Sequence, residues 1–214
     1  MGIKLLPSPL LVKTLAMDKV ICVGKNYLKH AKELGDPIPE EPLYFLKPPS
    51  TIYVAESSNN EIELPKQGEI HYELELVLKI DETQKGLGFT HYTFGLDLTN
   101  REVQNRLKKA GQPWEKAKVF KNSTVLGAWQ PIFSLADILE LPFELEVNGQ
   151  LKQRGVGRDM RWNPDFLLKD VQQWFPVVSG DILFTGTPEG VGPIKAGDEL
   201  NVSGGAVQYT LNCK

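Results

Sequence analysis

The feature that most constrains the fold is an alternating run, Ile70 to Leu78, in which polar and apolar residues take turns. Successive side chains of a β-strand point to opposite faces, so this pattern predicts a strand with one buried face. Glu73 and Glu75 would share one face. The other face would carry only apolar and aromatic side chains, those of Tyr72, Leu74, Leu76 and Leu78.

The pair Glu73 and Glu75 needs a physical explanation, because neighbouring carboxylates repel each other. Water can screen them, one of them can be protonated, or a divalent cation such as Mg²⁺ can bind between them. A solvated edge strand is the ordinary alternative, since glutamates are mostly exposed. The strand pattern by itself leaves both a solvated face and a metal site open.

Composition limits the class of protein. The chain has 214 residues, 41% of them hydrophobic and 24% charged, which is typical of a globular domain, and we expect one domain over residues 1–214. A net charge of −3 argues against a nucleic-acid partner. The apolar start, Met1 to Val12, is broken by prolines, so we expect a pairing strand or arm and no membrane span. Two cysteines without metal-type spacing favour a cytoplasmic location.

Local patterns predict a mixed α/β, β-rich chain with few helices. Five prolines between Gly35 and Ser50 predict an extended loop. Helices are predicted at Tyr27–Leu34, Arg101–Lys109 and Asn163–Trp174. Strands are predicted at Lys19–Gly24, Phe94–Leu98, Phe143–Val147, Leu151–Arg154, Asp181–Gly186, Asp198–Val202 and Val207–Leu211, with Asn148-Gly149 as a hairpin turn.

Five motifs follow one another along most of the chain. They are Val23-Gly24-Lys25-Asn26-Tyr27 with His30 and Glu33, His71-Tyr72-Glu73-Leu74-Glu75, Leu96 to Gln104, Gln112 to Lys118, and Thr185 to Pro193. In this order they resemble the fumarylacetoacetate hydrolase superfamily. The similarity is to its short branch, which contains acylpyruvate hydrolases and oxaloacetate decarboxylases and tautomerases.

This resemblance implies a β-roll fold with a few short helices, usually as a homodimer. It also implies one Mg²⁺ or Mn²⁺ held by Glu73, Glu75 and Asp97. Three carboxylates suit a hard cation and leave about three of six octahedral positions for water and substrate. A small 2-oxo acid would be the partner, bound through one carboxylate oxygen and its 2-oxo oxygen.

The resemblance also implies three catalytic residues. His30 would activate water, and Glu33, three residues later on the same helical face, would orient it. Lys118 would stabilise negative charge that develops on an oxygen. The ordinary alternatives are an exposed His–Glu pair and a surface lysine.

Substrate-binding roles fall to Lys25, Arg101, Gln104 and Thr187 by the same resemblance. Several relatives have arginine at the position of Lys25, and a lysine cannot form a planar bidentate contact with a carboxylate. Thr187 lies in a glycine-rich turn whose amides and hydroxyl could hold an anion. His71 could support the glutamates or be an ordinary rim histidine.

The function expected first is metal-dependent hydrolysis of a carbon–carbon bond in a small acylpyruvate-type 2-oxo acid, through an enolate held by the metal. The alternatives are an oxaloacetate decarboxylase or keto–enol tautomerase, or an isomerase/decarboxylase of dioic acids from aromatic breakdown. The alternative from another class is a binding or scaffold module with a structural cation.

Overall fold

The computed structural model describes residues 17–33, 39–56 and 58–214. The strands are β1 Val20–Gly24, β2 Leu43–Lys47, β3 Ile52–Val54, β4 Asn60–Ile62, β5 Ile70–Tyr72, β6 Leu74–Thr83, β7 Gly86–Asp97, β8 Thr99–Asn100, β9 Thr124–Leu126, β10 Gln130–Pro131, β11 Pro142–Val147, β12 Gln150–Val156, β13 Ile182–Phe184, β14 Gly192–Ile194, β15 Glu199–Gly204 and β16 Val207–Cys213. The helices are α1 Leu28–Glu33, α2 Arg101–Lys109, α3 Glu115–Lys118, α4 Leu135–Leu139 and α5 Pro164–Trp174.

The strands form three sheets. The largest has the order β2-β1-β13-β6-β7-β9-β3, with β10 beside β7, and the second has the order β12-β11-β15-β16-β4. The smallest has the order β14-β5-β8. The chain passes from the smallest sheet to the largest at Glu73, between β5 and β6, and returns at Leu98, between β7 and β8. This double passage forms the corner at which the candidate site lies.

Helix caps and a hairpin turn lie where the sequence predicts them. The Asn100 and Asn163 side chains accept hydrogen bonds from the amides of Val103 and Phe166, so each caps the helix that follows it. Asn148 and Gly149 have positive φ angles of 52° and 72°, as a tight hairpin turn between β11 and β12 requires.

The main core lies between the large sheet and the second sheet. Leu74, Leu76 and Phe94 belong to one buried cluster with Phe143 and Leu145, and the rings of Phe94 and Phe143 stack with centroids 5.0 Å apart. Helix α5 covers another part of the large sheet through Leu167, Leu168 and Val171. The apolar face predicted for the run 70–78 is therefore buried as expected.

The expectation of a loop over Gly35–Ser50 is wrong for its second half. Leu43–Lys47 is strand β2, paired antiparallel with β1. The prolines flank this strand, so they do not interrupt its hydrogen bonds. Residues 34–38 and the predicted N-terminal strand or arm lie outside the described residues. Among the described helices, none is long and apolar enough to cross a membrane.

Candidate active site

Three carboxylates meet at the corner between the sheets. Strands β6 and β7 run antiparallel, so the start of one lies beside the end of the other, and the Asp97 amide donates to the Glu73 carbonyl over 2.9 Å. Glu73, Glu75 and Asp97 each offer a carboxylate oxygen within 4.8 Å of the others. Their exposed fractions are 6%, 2% and 1%. The alternative of a solvated edge strand is therefore wrong.

Three buried cations contact two members of this carboxylate triad, Glu73 and Asp97. Lys118 Nζ lies 2.8 Å from Glu73 Oε2 and 2.5 Å from Asp97 Oδ2. Lys47 Nζ lies 2.8 Å from Asp97 Oδ1 and also donates to the Ser123 carbonyl over 2.5 Å. The Arg101 guanidinium donates to Glu73 Oε1. Lys118 is thus a buried member of the site, and the alternative of a surface lysine is wrong.

The pKa values of Glu73 and Glu75 are shifted in opposite directions. Burial alone would raise the pKa of Glu73, but Lys118 and Arg101 outweigh burial and lower its pKa below the usual range. For Glu75, burial and the charges of Asp97 and Glu73 raise the pKa well above the usual range. Its nearest donor is the Gly186 amide, 2.7 Å from Oε2. Positive charge is therefore deficient on the Glu75 side of the triad.

The donor set fits a divalent cation. All three ligands are carboxylates, which hard cations such as Mg²⁺ and Mn²⁺ prefer, and their oxygens are already brought together. A cation near Glu75 would supply the missing positive charge. Glu73, Glu75 and Asp97 are therefore the residues that would hold it.

His30 and Glu33 form a pair beside the triad. His30 is buried, and its Nδ1 lies 3.3 Å from Glu33 Oε2. Glu33 is more exposed, and both of its carboxylate oxygens accept from the Gly190 amide over 3.1 Å. His30 lines the same pocket as the three carboxylates, whereas Glu33 contacts His30 and is not among the residues that line the pocket.

Helix α2 directs two predicted binding residues into the same pocket. Arg101 and Gln104 are both buried, and Arg101 Nη1 donates to Gln104 Oε1 over 2.5 Å. Arg101 Nε is buried and has no hydrogen-bond partner among the described residues. Lys25 also lines the pocket, from a backbone with a φ of 59° that is uncommon for lysine.

The glycine-rich turn binds protein groups in this structure. The Thr187 hydroxyl donates to the Leu74 carbonyl over 2.8 Å and accepts from Gln153 Nε2 over 2.8 Å. The Gly186 amide, in the same turn, already donates a hydrogen bond to the Glu75 carboxylate. Thr187 lines the pocket, and its predicted role as a substrate ligand stays a prediction.

Sequence reasoning missed four residues, and for His71 the structure selects one of the two alternatives that the sequence left open. Phe45, Lys108 and Trp114 line the pocket, and Lys47 binds Asp97. Phe45 and Lys47 belong to none of the five motifs. They lie in strand β2, whose sequence gives no sign of a functional site. His71 does not line the pocket. Its Nε2 lies 2.5 Å from Glu69 Oε1, so it is a rim histidine.

Comparison with known proteins identifies the family. Residues 19–211 match the family model described as fumarylacetoacetate (FAA) hydrolase C-terminal, so the chain belongs to this enzyme family. It is 40% identical over 196 residues to an oxaloacetate tautomerase of Escherichia coli K12, covering 87% of this chain and 88% of that protein. It is 34% identical over 189 residues to a mitochondrial oxaloacetate decarboxylase of Dictyostelium discoideum, covering 85% and 86%.

Comparison with solved structures supports the same family assignment. The fumarylpyruvate hydrolase of Pseudomonas aeruginosa, solved in complex with Mn²⁺ and pyruvate, superposes with a TM-score of 0.82 at 30% identity, covering 92% of this chain and 91% of that one. The expected β-rich, mixed α/β fold of the fumarylacetoacetate hydrolase type is confirmed.

Proposed function

We propose that this protein is a divalent-cation-dependent enzyme that interconverts the keto and enol forms of oxaloacetate. The observation that carries the proposal is that His30 and the three carboxylates line one buried pocket. The similarity to an oxaloacetate tautomerase over most of both chains supports the choice of substrate. Mg²⁺ or Mn²⁺ bound to the triad would polarise the 2-oxo group as a Lewis acid.

His30 is suited to move the proton. A carboxylate can only accept, so Glu33 requires the hydrogen of the neutral imidazole to lie on Nδ1. The lone pair on Nε2 is then available to remove a proton from C3 of oxaloacetate. Glu33 stabilises the imidazolium that results, and the imidazolium returns the proton to the 2-oxo oxygen to give the enol.

Lys118 supplies a fixed positive charge for the developing oxyanion. Burial alone would lower the pKa of Lys118, but Asp97 and Glu73 raise it above its usual value, so the ammonium stays charged. It is held in place by the Thr99 hydroxyl, 2.7 Å away, besides the two carboxylates. A preorganised charge of this kind stabilises an enolate without having to reorient.

Hydrolysis of an acylpyruvate is the second candidate. The same lone pair on His30 could take a proton from water that attacks the distal carbonyl, and the fumarylpyruvate hydrolase neighbour supports this chemistry. Decarboxylation of oxaloacetate would break the bond to the distal carboxylate, release CO₂ and leave the enolate of pyruvate, and an oxaloacetate decarboxylase is among the relatives. The three reactions differ in which bond breaks after the substrate is bound.

The test is to follow oxaloacetate and acetylpyruvate by NMR with Mg²⁺-loaded protein. Faster interconversion of keto and enol oxaloacetate, lost in Glu73→Ala and His30→Ala, would support the tautomerase. Release of pyruvate and acetate from acetylpyruvate would assign the hydrolase, and loss of CO₂ the decarboxylase. No turnover of either acid, together with a large thermal stabilisation by Mg²⁺, would instead support a scaffold with a structural cation.

A further inference from the structure

Gln153 is a buried polar residue in a strand whose other residues are more exposed. Its exposed fraction is 1%, whereas its chain neighbours on β12, Lys152 and Arg154, are exposed. Gln153 is not among the residues that line the candidate pocket. Burying a side-chain amide costs free energy unless its hydrogen bonds are satisfied, so its position has to be explained by its partners.

The Gln153 amide connects the segment of the two glutamates with the glycine-rich turn. Its Oε1 accepts a hydrogen bond from the Leu74 amide over 2.9 Å. Its Nε2 donates to Thr187 Oγ1 over 2.8 Å and to the Pro188 carbonyl over 2.9 Å. A backbone amide can only donate and a carbonyl can only accept, so these partners fix which end of the side chain faces each segment.

These hydrogen bonds orient both peptide groups between Glu73 and Glu75. Because Thr187 Oγ1 accepts from Gln153, it donates its own hydrogen to the Leu74 carbonyl, 2.8 Å away. The Leu74 amide belongs to the peptide bond that follows Glu73, and the Leu74 carbonyl to the one that precedes Glu75. Peptide groups are planar, so holding both groups fixes the direction in which the two glutamates leave the backbone.

Side chains take over here because the strand pairing ends. Strand β13 pairs with β6 over residues 77–79, and Thr185 continues the contact by donating to the Leu76 carbonyl. The chain then turns at Gly186, whose φ of 101° favours glycine. Beyond this turn, the backbone groups of Leu74 are bound by the side chains of Gln153 and Thr187 in place of a neighbouring strand.

The same turn contacts two glutamates of the candidate site. The Gly186 amide donates to Glu75 Oε2 over 2.7 Å, and the Gly190 amide donates to both carboxylate oxygens of Glu33 over 3.1 Å. Strand β12 lies close against the turn, since a Cβ added at Gly190 would be 2.1 Å from the Lys152 carbonyl oxygen. A displacement of the turn would therefore move the donors of both glutamates.

We propose that Gln153 is a positioning residue that holds the segment 73–75 and the turn at Thr187 in the geometry that binds the divalent cation. Since Gln153 does not line the pocket, it acts through Thr187 and the two glutamates, which do. The inference rests on the proposed function only in that the carboxylate triad binds Mg²⁺ or Mn²⁺. It adds a residue of the second sheet, outside the five sequence motifs, to the candidate site.

The test measures the affinity for Mg²⁺ by titration calorimetry, which needs no turnover. Gln153→Met keeps a side chain of similar length and removes its hydrogen bonds. Loss of a group that orients a metal ligand typically costs 10- to 100-fold, so we expect the Mg²⁺ dissociation constant to rise by about 10-fold or more. Gln150→Met is the matched control, because it makes the same change at an exposed position of the same strand. It should leave the dissociation constant unchanged.

Two further variants separate positioning from a general loss of stability. Leu145 lies opposite Gln153 in the pair of β11 and β12, so Leu145→Ala destabilises the same strands without removing these hydrogen bonds. Where circular dichroism shows a native signal, it should keep the Mg²⁺ affinity of the wild type. In a Thr187→Val background, Gln153→Met should weaken Mg²⁺ binding by a smaller factor than in the wild type, because residues in one network are not additive.

If Gln153→Met does not fold, NMR on the wild type decides. Binding of Mg²⁺ should shift the side-chain amide signals of Gln153 more than those of Gln150. The proposal would be overturned by an unchanged Mg²⁺ affinity in folded Gln153→Met, by equal factors in both backgrounds, or by Gln153 signals that do not respond to Mg²⁺. Failure of the proposed function is distinguishable, since the wild type would then not interconvert keto and enol oxaloacetate while the effect of Gln153→Met on Mg²⁺ affinity persisted.

Discussion

The corner that holds the carboxylate triad and the second sheet, β12-β11-β15-β16-β4, are both buried but are built from opposite kinds of residue. The second sheet buries apolar side chains such as Phe143, Leu145 and Val202. The corner buries three carboxylates and three cations. Burying charges costs free energy that apolar packing does not. The second sheet thus supports the fold by apolar packing, whereas the cost of the buried charges at the corner is accounted for by the proposed function.

A single strand contributes to both regions. Leu74 and Leu76 of β6 enter the core that the second sheet completes, and Glu75 between them faces the pocket. The period of two along a strand therefore places apolar packing on one face and the candidate site on the other. Substitutions on the two faces should have separable effects, and the predictions below test that separation.

The largest effect is expected for Glu75→Gln. Loss of a partner that only supports a metal ligand typically costs 10- to 100-fold, so loss of a ligand should lower activity by at least about 100-fold. Its raised pKa means that the charged form is disfavoured by burial and by Asp97 and Glu73. The metal-free variant should therefore be at least as stable as the wild type. Calorimetry with Mg²⁺ and thermal melts would check both, and a lower melting temperature without metal would contradict the account.

Lys47→Met should lower the free energy of unfolding by roughly 3–5 kcal/mol, because it leaves Asp97 with one cation fewer in a buried site. Added Mg²⁺ should recover part of this loss. Lys121→Met is the control, since that lysine pairs with Glu63 on the exposed surface and such pairs contribute about 1 kcal/mol or less. Urea unfolding of both variants would measure the difference, and equal losses would count against a role for Lys47 at the site.

Leu145→Ala tests the second sheet, to which strand β11 belongs. Its side chain is fully buried in the core, and removing it should cost roughly 2–5 kcal/mol of unfolding free energy. Activity per folded molecule should stay that of the wild type, because the side chain lies outside the pocket. A loss of activity in folded protein, measured under conditions where circular dichroism shows a native signal, would mean that the two regions are coupled.

The smallest effect is expected for Asp198→Asn, in the turn before β15. Burial would raise the pKa of Asp198, but hydrogen bonds from Asn148 Nδ2 and the Lys195 amide, each 2.9 Å long, lower it overall. The folded-state pKa is thus below the unfolded one. This carboxylate stabilises the fold above its ordinary pKa and loses that contribution as pH falls through the lowered value.

The Asp198→Asn variant should lose about 1 kcal/mol at pH 7. The loss should shrink as the pH falls below the ordinary aspartate pKa of 3.8. Thermal melts of wild type and variant between pH 7 and pH 2 would show this. A difference that grew towards acid pH would reverse the sign and contradict the assignment.

Local elements were the most predictable part of the fold. Helix α2 begins after Asn100 and ends at Lys109 as its cap and apolar stripe predict. The hairpin of β11 and β12 follows from Asn148-Gly149. Strand β2 was missed because prolines surround it and its pairing partner, β1, lies about 20 residues away in sequence. A proline-rich segment predicts that no helix forms there, but it does not predict whether the segment pairs with another strand.

The chain's sequence by itself determined which side chains share a face, where helices begin and where turns form, because these depend on neighbours a few residues apart. It also marked Glu73, Glu75 and Asp97, through motifs typical of a family. Only the tertiary structure decided that these carboxylates are buried, that Lys47 binds Asp97, and that Phe45 and Trp114 line one pocket. Electrostatic energy depends on distance and surrounding dielectric, and residues distant along the chain acquire both only when the sheets assemble.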